Sequence, residues 1–460
     1  MTHCITDVER EQYTPRVTLL GLGLKFEALN IFGPVEKLVE IGQKVIFDSP
    51  TDKLKDALIT ILAGGKGLVE ANKRVRTDPA LQRAFGRKRC AEQSVISDTL
   101  DACTDENVTQ MQAAMQTIYR THSMGYGHDY DLDLQLLDID LTGQPCGAKA
   151  EFASKGYFLH QRNRRGRQLG RVLATWYNEV VVDRIYDGKT VLPAVLQELV
   201  QQGADVLDLD EAKRARTILR IDSHGGSQAA VNALLDQGYQ IHIKEYSSKR
   251  AQRLAKSVTA WFDDPKVAGR QIGWVEEDPT EYSRPLRRIA ARSRKKNGQW
   301  GVGVILSTLP DQDVAYLAGL PLDIPLTARD VACAHIYFYD LRGGGVETSA
   351  KEDKQGLGIT KRNKKRFAAQ AMLTQLNALA HNLIVWFRHW LTPSWHRVLQ
   401  LGIVRLIRDV FHCNGQAVIQ PDDTISAIHL SPIDLHSMKL FDALQRLLIP
   451  IHVDVYLAET

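Results

Sequence analysis

Residues 339–354 read YDLRGGGVETSAKEDK. An acid, Glu347, stands between two cations, Arg342 and Lys354, with Tyr339 just ahead and helix-forming residues behind. Glu347 and Lys354 are seven positions apart, ~700° around an α-helix at about 100° per residue, so a continuous helix presents both on one face. One carboxylate cannot hold a catalytic metal unaided, and two strand-like segments offer partners. LLDIDLTG (136–143) carries Asp138 and Asp140, and ILRIDSHGG (218–226) carries Asp222. Alternation in a strand puts Asp138 and Asp140 on the same side, so they compete for one role. Asp222 ends an otherwise apolar strand; its bland alternative is a helix N-cap, since a helix follows from Ser227. The nearby LDLDEAKR offers Asp208 and Asp210, but Glu211 onward reads as a helix start.

Three carboxylates on three segments, in the order Asp, Asp, Glu, with a Tyr–Arg–Glu–Lys cluster at the third, resemble the insertion-sequence DDE transposases over about residues 16–445. The resemblance implies a mixed α/β (α+β) fold with an RNase H-like catalytic core, a β-rich insertion and an N-terminal all-helical DNA-binding domain. It implies Asp140, Asp222 and Glu347 as catalytic residues and as ligands of two Mg²⁺ ions, with Mn²⁺ as a substitute. Asp140 is preferred to Asp138 because Asp140 and Thr142 match the Asp-x-Thr of the family's first-acid strand. Tyr339, Arg342 and Lys354 are then DNA-binding residues near the element's end. The sequence departs from the family at one point. Three residues usually separate the Arg from the Glu; here Gly343, Gly344, Gly345 and Val346 do so, while the Glu-to-Lys spacing is kept. The difference reads as an extra Gly in a turn, which Gly tolerates easily.

The residue types suit that chemistry on their own terms. In-line attack on a crowded anionic phosphorus is assisted by two divalent ions roughly 4 Å apart. Mg²⁺ favours carboxylate oxygens, and the proposed set contains neither Cys nor His.

At 460 residues the chain is long enough for two to four domains. A hydrophobic fraction of 44% and a charged fraction of 24% belong to an ordinary folded protein. The net charge of +4, from 58 Lys+Arg against 54 Asp+Glu, is too small to argue for nucleic acid; the distribution of charge says more. Six scattered cysteines without a CxxC pair speak against zinc and for a reduced, cytoplasmic setting, and the family resemblance implies a bacterial one. The polar start has no signal-peptide pattern. The most apolar helical stretch, 376–391, is interrupted by Asn377, His381, Asn382, Arg388 and His389, so it does not read as a membrane span. GLGLKF (21–26) and RGGGVE (342–347) lack phosphate-loop spacing, and no nucleotide cofactor is expected.

The chain divides by pattern into five parts. Residues 1–125 are a polar lead to about 15 and then helical, with Asp78-Pro79 opening a helix, Gly86 ending it, and Ser94 able to cap the next. Arg87, Lys88 and Arg89 lie on that turn and suit a helix-turn-helix docking on phosphate, though ordinary helical bundles look similar. Residues 126–263 read as strand, two further strands, helix, strand, helix, strand, the order an RNase H-like core needs. VLPAVLQELVQQG (191–203) is the first of those helices, with Gly203 as its stop. The run Arg162, Arg164, Arg165, Arg167, Arg171 is either a DNA track or a solvated rim. Residues 264–334 read as a β-rich insertion, because Asp222 and Glu347 lie farther apart than a minimal core requires. Residues 335–392 return to the core with the Glu347 helix and a long helix ending before Pro393; 393–460 are a mixed tail. Lys361, Arg362, Lys364 and Lys365 (with Arg366) extend the basic surface or form a solvated helix face. Trp300 and Trp274 are candidates for stabilising a flipped base, as in some relatives, or are core.

The resulting expectation is a cut-and-paste DNA transposase that binds inverted-repeat ends and target DNA as a homodimer, with no membrane and no nucleotide partner. A nuclease without strand transfer and a decayed copy that binds DNA without cutting are the rivals.

Overall fold

The computed structural model describes residues 9–44, 47–156, 158, 163–276 and 281–458. Arg162, Cys4 and part of the polar lead, and residues 277–280 of the inserted segment, lie outside them. The chain folds into two compact units. Unit 1 is Met1–Ser123 with Gln144–Arg167 and Ala350–Thr460; unit 2 is Met124–Gly143 with Gln168–Ser349. The tail from 393 is thus grouped with the N-terminal helices, and the segment 264–334 with β2, β6 and β7.

In chain order the strands are β1 (Arg10–Thr14), β2 (Gln135–Pro145), β3 (Ser154–Lys155), β4 (Arg165–Ala174), β5 (Glu179–Asp187), β6 (Thr217–Ile221) and β7 (Gln240–Lys244). They continue with β8 (Phe262–Asp263), β9 (Arg270–Trp274), β10 (Arg287–Arg294), β11 (Trp300–Ser307), β12 (Gly415–Ile419), β13 (Ile425–Leu430) and β14 (Asp454–Leu457).

Unit 2 is built on a sheet of order β4-β2-β6-β7-β11-β10-β9-β8, with β5 beside β4. The central strands β2, β6 and β7 are parallel, with Leu137 opposite Leu219 and Ile221 opposite Ile243. Every residue of β6, TILRI, is buried, as a parallel strand covered on both faces requires. Helix Leu192–Leu207 separates β5 from β6, and helix Gln228–Asp236 separates β6 from β7. Mixed α+β architecture and this element order agree with the sequence reading. Gly203 does not stop its helix, which runs on to Leu207 and ends at Asp208 in the left-handed region (φ 54°). Gly203 instead permits close approach to the sheet: a Cβ there would sit 3.3 Å from Val172.

The inserted segment extends this sheet. β11 pairs antiparallel with β7, β10 with β11, and β9 with β10. Helix Ala328–Asp340, opened by a Thr327–Asp330 capping box, binds the two halves together. Its Val331, Ala334 and Phe338 pack on Leu136 and Ile218 of the parallel strands, and its Ala332, Cys333, Ile336 and Tyr337 pack on Ile272, Ile289 and Ile305 of the added ones. HIYFYD (335–340) is the last turns of this helix.

In unit 1 the long helix Phe367–Leu391 is buried along most of its length. Helices Pro50–Leu62, Gln93–Ala102 and Asp105–His122 pack on it. The second of these is capped by Glu92 where Ser94 was expected. A small sheet, β1-β12-β13-β14, completes the unit. Residues 10–14, read as part of a frayed lead, pair antiparallel with β12 from Arg10 opposite Ile419 to Thr14 opposite Gly415. Among the described residues no helix is long and apolar enough to cross a membrane.

Two buried imidazoles sit in the unit 2 core. His242 of β7 stacks on His335 at 5.8 Å and bonds Ser307 Oγ (3.1 Å) and the His335 carbonyl (2.9 Å). Both ring nitrogens of His335 lack a partner. Burial pushes His335 down to about 3, with Arg287 adding to the effect. Burial, then His335 and Arg220, hold His242 well below its usual value. Both folded values lie below the unfolded one of about 6.5, so on acidification the unfolded chain binds protons first. Stability is full above about pH 6.5 and falls as pH drops toward the folded values, by up to ~1.4 kcal/mol per pH unit for each ring. Urea midpoints measured at about pH 7.5 and 5.5 should fall with acid in the wild type and fall less in His335→Leu, which removes one ring.

Candidate active site

β2 carries two acids with different fates. Asp138 is fully buried. Arg220 of β6, directly opposite it in the parallel register, donates Nε and Nη2 to its two oxygens at 2.7 and 2.8 Å. The Thr175 hydroxyl adds a third bond at 2.9 Å. Asp138 is thereby saturated. Asp140, two residues on, keeps 22% of its side chain exposed. Its Oδ1 accepts the Leu141 N–H at 2.9 Å. Asp222 immediately follows β6 and is half-buried. It does not cap the next helix, because Ser227 Oγ does so.

Glu347 sits in the first turn of helix Val346–Glu352, 55% exposed. Between it and Asp140 lies Arg342, whose side chain is 5% exposed. Arg342 Nη1 donates to Glu347 Oε1 at 2.6 Å, and Nη2 stands 3.3 Å from Asp140 Oδ1. Nε and Nη2 have no hydrogen-bond acceptor although they are buried. Electrostatics tie the cluster together. Asp140 is pushed up to about 6, chiefly by burial; Arg342 opposes the rise, while the charges of Asp222 and Glu347 add to it. Burial works against the charge of Arg342, but Asp140, Tyr339 and Asp222 outweigh it and hold the guanidinium above its ordinary range. The half-buried Tyr339 phenol is pushed up, first by burial.

The glycine run now has a structural account. A Cβ on Gly345 would overlap Asp138 Oδ2 and lie 3.2 Å from Thr175 and 3.4 Å from Arg220, whereas Gly343 and Gly344 have open space. Gly345 lets the turn cross over the Asp138–Arg220 pair. Behind the turn, the buried pair Arg171–Asp183 of β4 and β5 (2.6 Å) reaches the Glu347 helix, with Arg171 Nη1 donating to Ser349 Oγ at 2.8 Å. Arg220, Thr175 and Ser349 are positioning residues that the sequence did not single out, and Arg171, read there as part of a DNA track or solvated rim, is a fourth, buried one. For Arg220 the available signal was a charge inside an otherwise apolar strand.

As to a metal, the donor chemistry fits a hard divalent cation: three carboxylates whose proximity raises one of them. The geometry is not a finished cage. Among the described residues no three His, Cys, Asp or Glu side chains converge on one point, and Arg342 lies between two of the acids.

The expected cationic residues separate into surface and interior. Arg87 is buried against Asp56 (2.9 Å), Asp48 (3.1 Å) and Asp52 (2.5 Å), so it is an internal ion cluster and not a phosphate-facing side chain. Lys88 is exposed, and Arg89 is half-exposed with Asp48 at 3.1 Å. Arg362 is likewise internal. It donates to Asn377 Oδ1 at 2.7 Å and to the carbonyls of Gly65 and Leu357, and burial lowers it to about 9. Lys364 is tied to Ser97 (2.6 Å) and Asp101. Lys361 and Lys365 are exposed. Of the arginine run, Arg164 and Arg165 are exposed, while Arg167 and Arg171 are buried, Arg167 donating to the carbonyls of Glu151, Lys364 and Lys365. Lys354 is half-buried in the π-helical turn Asp353–Leu357, which interrupts the α-helix that a shared face with Glu347 presumes. Trp300 carries the guanidinium groups of Arg292 (4.5 Å) and Arg294 (4.2 Å) over its ring. Trp274 packs on the core, its indole N–H bonded to Ala328 O at 2.9 Å.

The glycine account makes a contrast that thermal or urea unfolding can check. Gly345→Ala should lose about 1–3 kcal/mol by overpacking against the buried pair. Gly343→Ala and Gly344→Ala should stay within about 0.5 kcal/mol of wild type.

No protein-family model matches the chain, and no curated protein matches it in sequence. Among solved structures it is similar to a piggyBac transposase synaptic complex with hairpin DNA, determined by cryo-EM. The TM-score is 0.46 and the identity 13%, covering 87% of this chain and 82% of that one.

Proposed function

We propose that unit 2 is the catalytic part of a DNA transposase, which cleaves DNA phosphodiesters at inverted-repeat ends and transfers the 3′ ends to target DNA. The observation that carries this reading is Arg342 set between Glu347 (2.6 Å) and Asp140 (3.3 Å), with the charge of Asp222 also acting on Asp140 and the rival Asp138 withdrawn into an ion pair with Arg220. Asp140, Asp222 and Glu347 are the residues that would hold two Mg²⁺ ions. Bound there, the ions would activate the attacking oxygen and stabilise the leaving one.

The side chains supply the rest. The Glu347 carboxylate is more than half exposed and is held by Arg342 Nη1 at 2.6 Å. Once released, Arg342 presents a planar fork of donors suited to a phosphate oxygen. Tyr339 packs beside it, un-ionised at neutral pH. Lys88, Arg164, Arg165, Lys361 and Lys365 are surface cations suited to backbone phosphates, which position DNA without reading its sequence. Bringing two ends together calls for a homodimer on DNA.

A second reading, DNA binding without cutting, draws on the unfinished convergence of the acids. One experiment separates the two. Labelled duplexes bearing the inverted repeats that flank the coding sequence are incubated with wild type, Glu347→Gln and Asp140→Asn in Mg²⁺, with binding recorded in parallel. The transposase reading expects cutting and joining by wild type, and unchanged binding with cutting reduced more than about 100-fold in both variants. Cutting without joining would point to a nuclease. Binding without cutting by any of the three would establish the second reading.

A further inference from the structure

The inserted segment adds to unit 2 a finger of one charge. Residues 283–310 contain seven Lys and Arg and no Asp or Glu. Three of these cations are committed within the unit. Arg284 donates to the Tyr239 carbonyl at 3.0 Å, Arg287 pairs with Asp311 at 2.9 Å, and Arg288 pairs with Glu281 at 3.2 Å. The other four, Arg292, Arg294, Lys295 and Lys296, lie at the tip of the β10–β11 hairpin and form no ion pair among the described residues. Arg294 Nη1 donates to the Gly298 carbonyl at 2.9 Å, and Gly298 closes the turn at φ 79°, a conformation that suits Gly.

The register sets the direction of the tip. β7 is parallel to β6 and antiparallel to β11, so β10 runs the same way as β6 and β7. The last β7–β11 pair is Lys244 with Ile305, whereas β10 and β11 stay paired from Ala290–Val304 out to Arg294–Trp300. At about 3.3 Å per residue, those further pairs carry the tip roughly 17 Å past the carboxyl end of β7. That is the end of the sheet at which Asp222 follows β6.

Two of the four cations are held in place by aromatic rings. Arg292 and Arg294 share a face of β10, and Trp300 stands opposite Arg294. The Arg292 guanidinium lies 3.9 Å from the Trp261 ring centre and 4.5 Å from that of Trp300, and Arg294 lies 4.2 Å from Trp300. Gln271 Oε1 accepts from Arg292 Nε at 2.9 Å, and an acid enters only beyond it, where Gln271 Nε2 donates to Asp263 at 2.9 Å. Burial lowers Arg292, and the charge of Arg294 adds to the lowering. The stack therefore holds two like charges side by side, already ordered as planar forks of the kind that phosphate oxygens accept from. We infer that this hairpin tip grips the sugar–phosphate backbone of DNA extending past the acids, with Arg292, Arg294, Lys295 and Lys296 as the contacts and Trp261 and Trp300 as positioning residues. The inference rests on the proposed DNA reaction but concerns a surface separate from its carboxylates.

The test uses the full-length protein in anisotropy titrations of a labelled terminal-repeat duplex and a scrambled duplex over a series of KCl concentrations. Lys295→Gln/Lys296→Gln and Arg292→Gln/Arg294→Gln are compared with wild type after melting curves show that each is folded. Each removes two phosphate contacts, so each should weaken both duplexes about equally and flatten the slope of log K against log[salt] by roughly 1.8. Arg292→Lys/Arg294→Lys keeps the charge but loses the fork and the stack; it should keep the slope and weaken binding roughly 3–10-fold. An unchanged slope in either folded Gln variant overturns the inference, and the lysine pair decides alone if the arginine variant does not fold. Wild-type affinity in the Lys variant overturns the positioning role of the two tryptophans. Cutting in Mg²⁺ is scored alongside. If wild type cuts and the slopes are unchanged, the hairpin contact fails and the transposase reading stands. If the slopes flatten and wild type does not cut, the hairpin contact stands and the transposase reading fails. No binding of either duplex by wild type overturns both.

Discussion

The buried pair between Asp138 and Arg220 is the constraint on which unit 2 depends. Both side chains are essentially without solvent, and both oxygens of the acid are satisfied by the arginine. The third arm of Arg220 reaches the carbonyl of Phe338 at 2.7 Å. One guanidinium thus joins β2, β6 and the end of helix Ala328–Asp340. Removing either partner would leave an uncompensated charge in the core, a loss of about 3–5 kcal/mol in comparable buried pairs. Such pairs are weak as sources of stability but strong as selectors of register. A one-residue slip of β2 would turn every side chain over and carry Asp140 to the wrong side of the sheet.

Around that bolt the site is assembled by alternating acids and arginines. Arg171 joins Asp183 to Ser349, on the helix of Glu347, and Arg342 joins Glu347 to Asp140. The turn carrying Arg342 can reach this position because Gly345 offers no side chain to the Asp138–Arg220 pair. The glycine at 345 is therefore a consequence of what lies beneath the turn. Burial is the chief cause of the rise of Asp140, with the charges of Asp222 and Glu347 adding to it, and the neighbouring acids keep Arg342 charged despite its own burial.

Much of this was legible in the sequence wherever the signal was local. The strand and helix order of the core and the end of the long helix before Pro393 could be read from alternation and 3.6-residue periodicity, and the three candidate acids were picked out by short motifs. What escaped was non-local. Strand β1 is polar and short, and it is a strand only because β12, some 400 residues on, pairs with it; Tyr13 bonds Asn414 at 2.7 Å. The inserted segment looked like a separate module because pattern gives strands but not the edge they join, which here is β7. Cationic runs misled for the same reason. Sequence shows a charge but not its partner, so Arg87 looked like a DNA contact until Asp48, Asp52 and Asp56 closed around it.

The division among the basic residues follows from their chemistry. Arginine has five donors in a rigid fork and a weakly hydrated charge, so it is the cation best suited to burial beside carboxylates and carbonyls. Arg171 and Arg220 use it in that way: Nε, Nη1 and Nη2 of each has an acceptor. Arg342 differs. It is as buried as they are, yet Nε and Nη2 lack hydrogen-bond acceptors and Glu347, its strongest partner, is more than half exposed. A buried donor without an acceptor costs about 1–3 kcal/mol, and a fold does not need such a donor beside a cluster of acids to hold itself together. Under the proposed function these donors are the ones that would take a phosphate oxygen of the DNA.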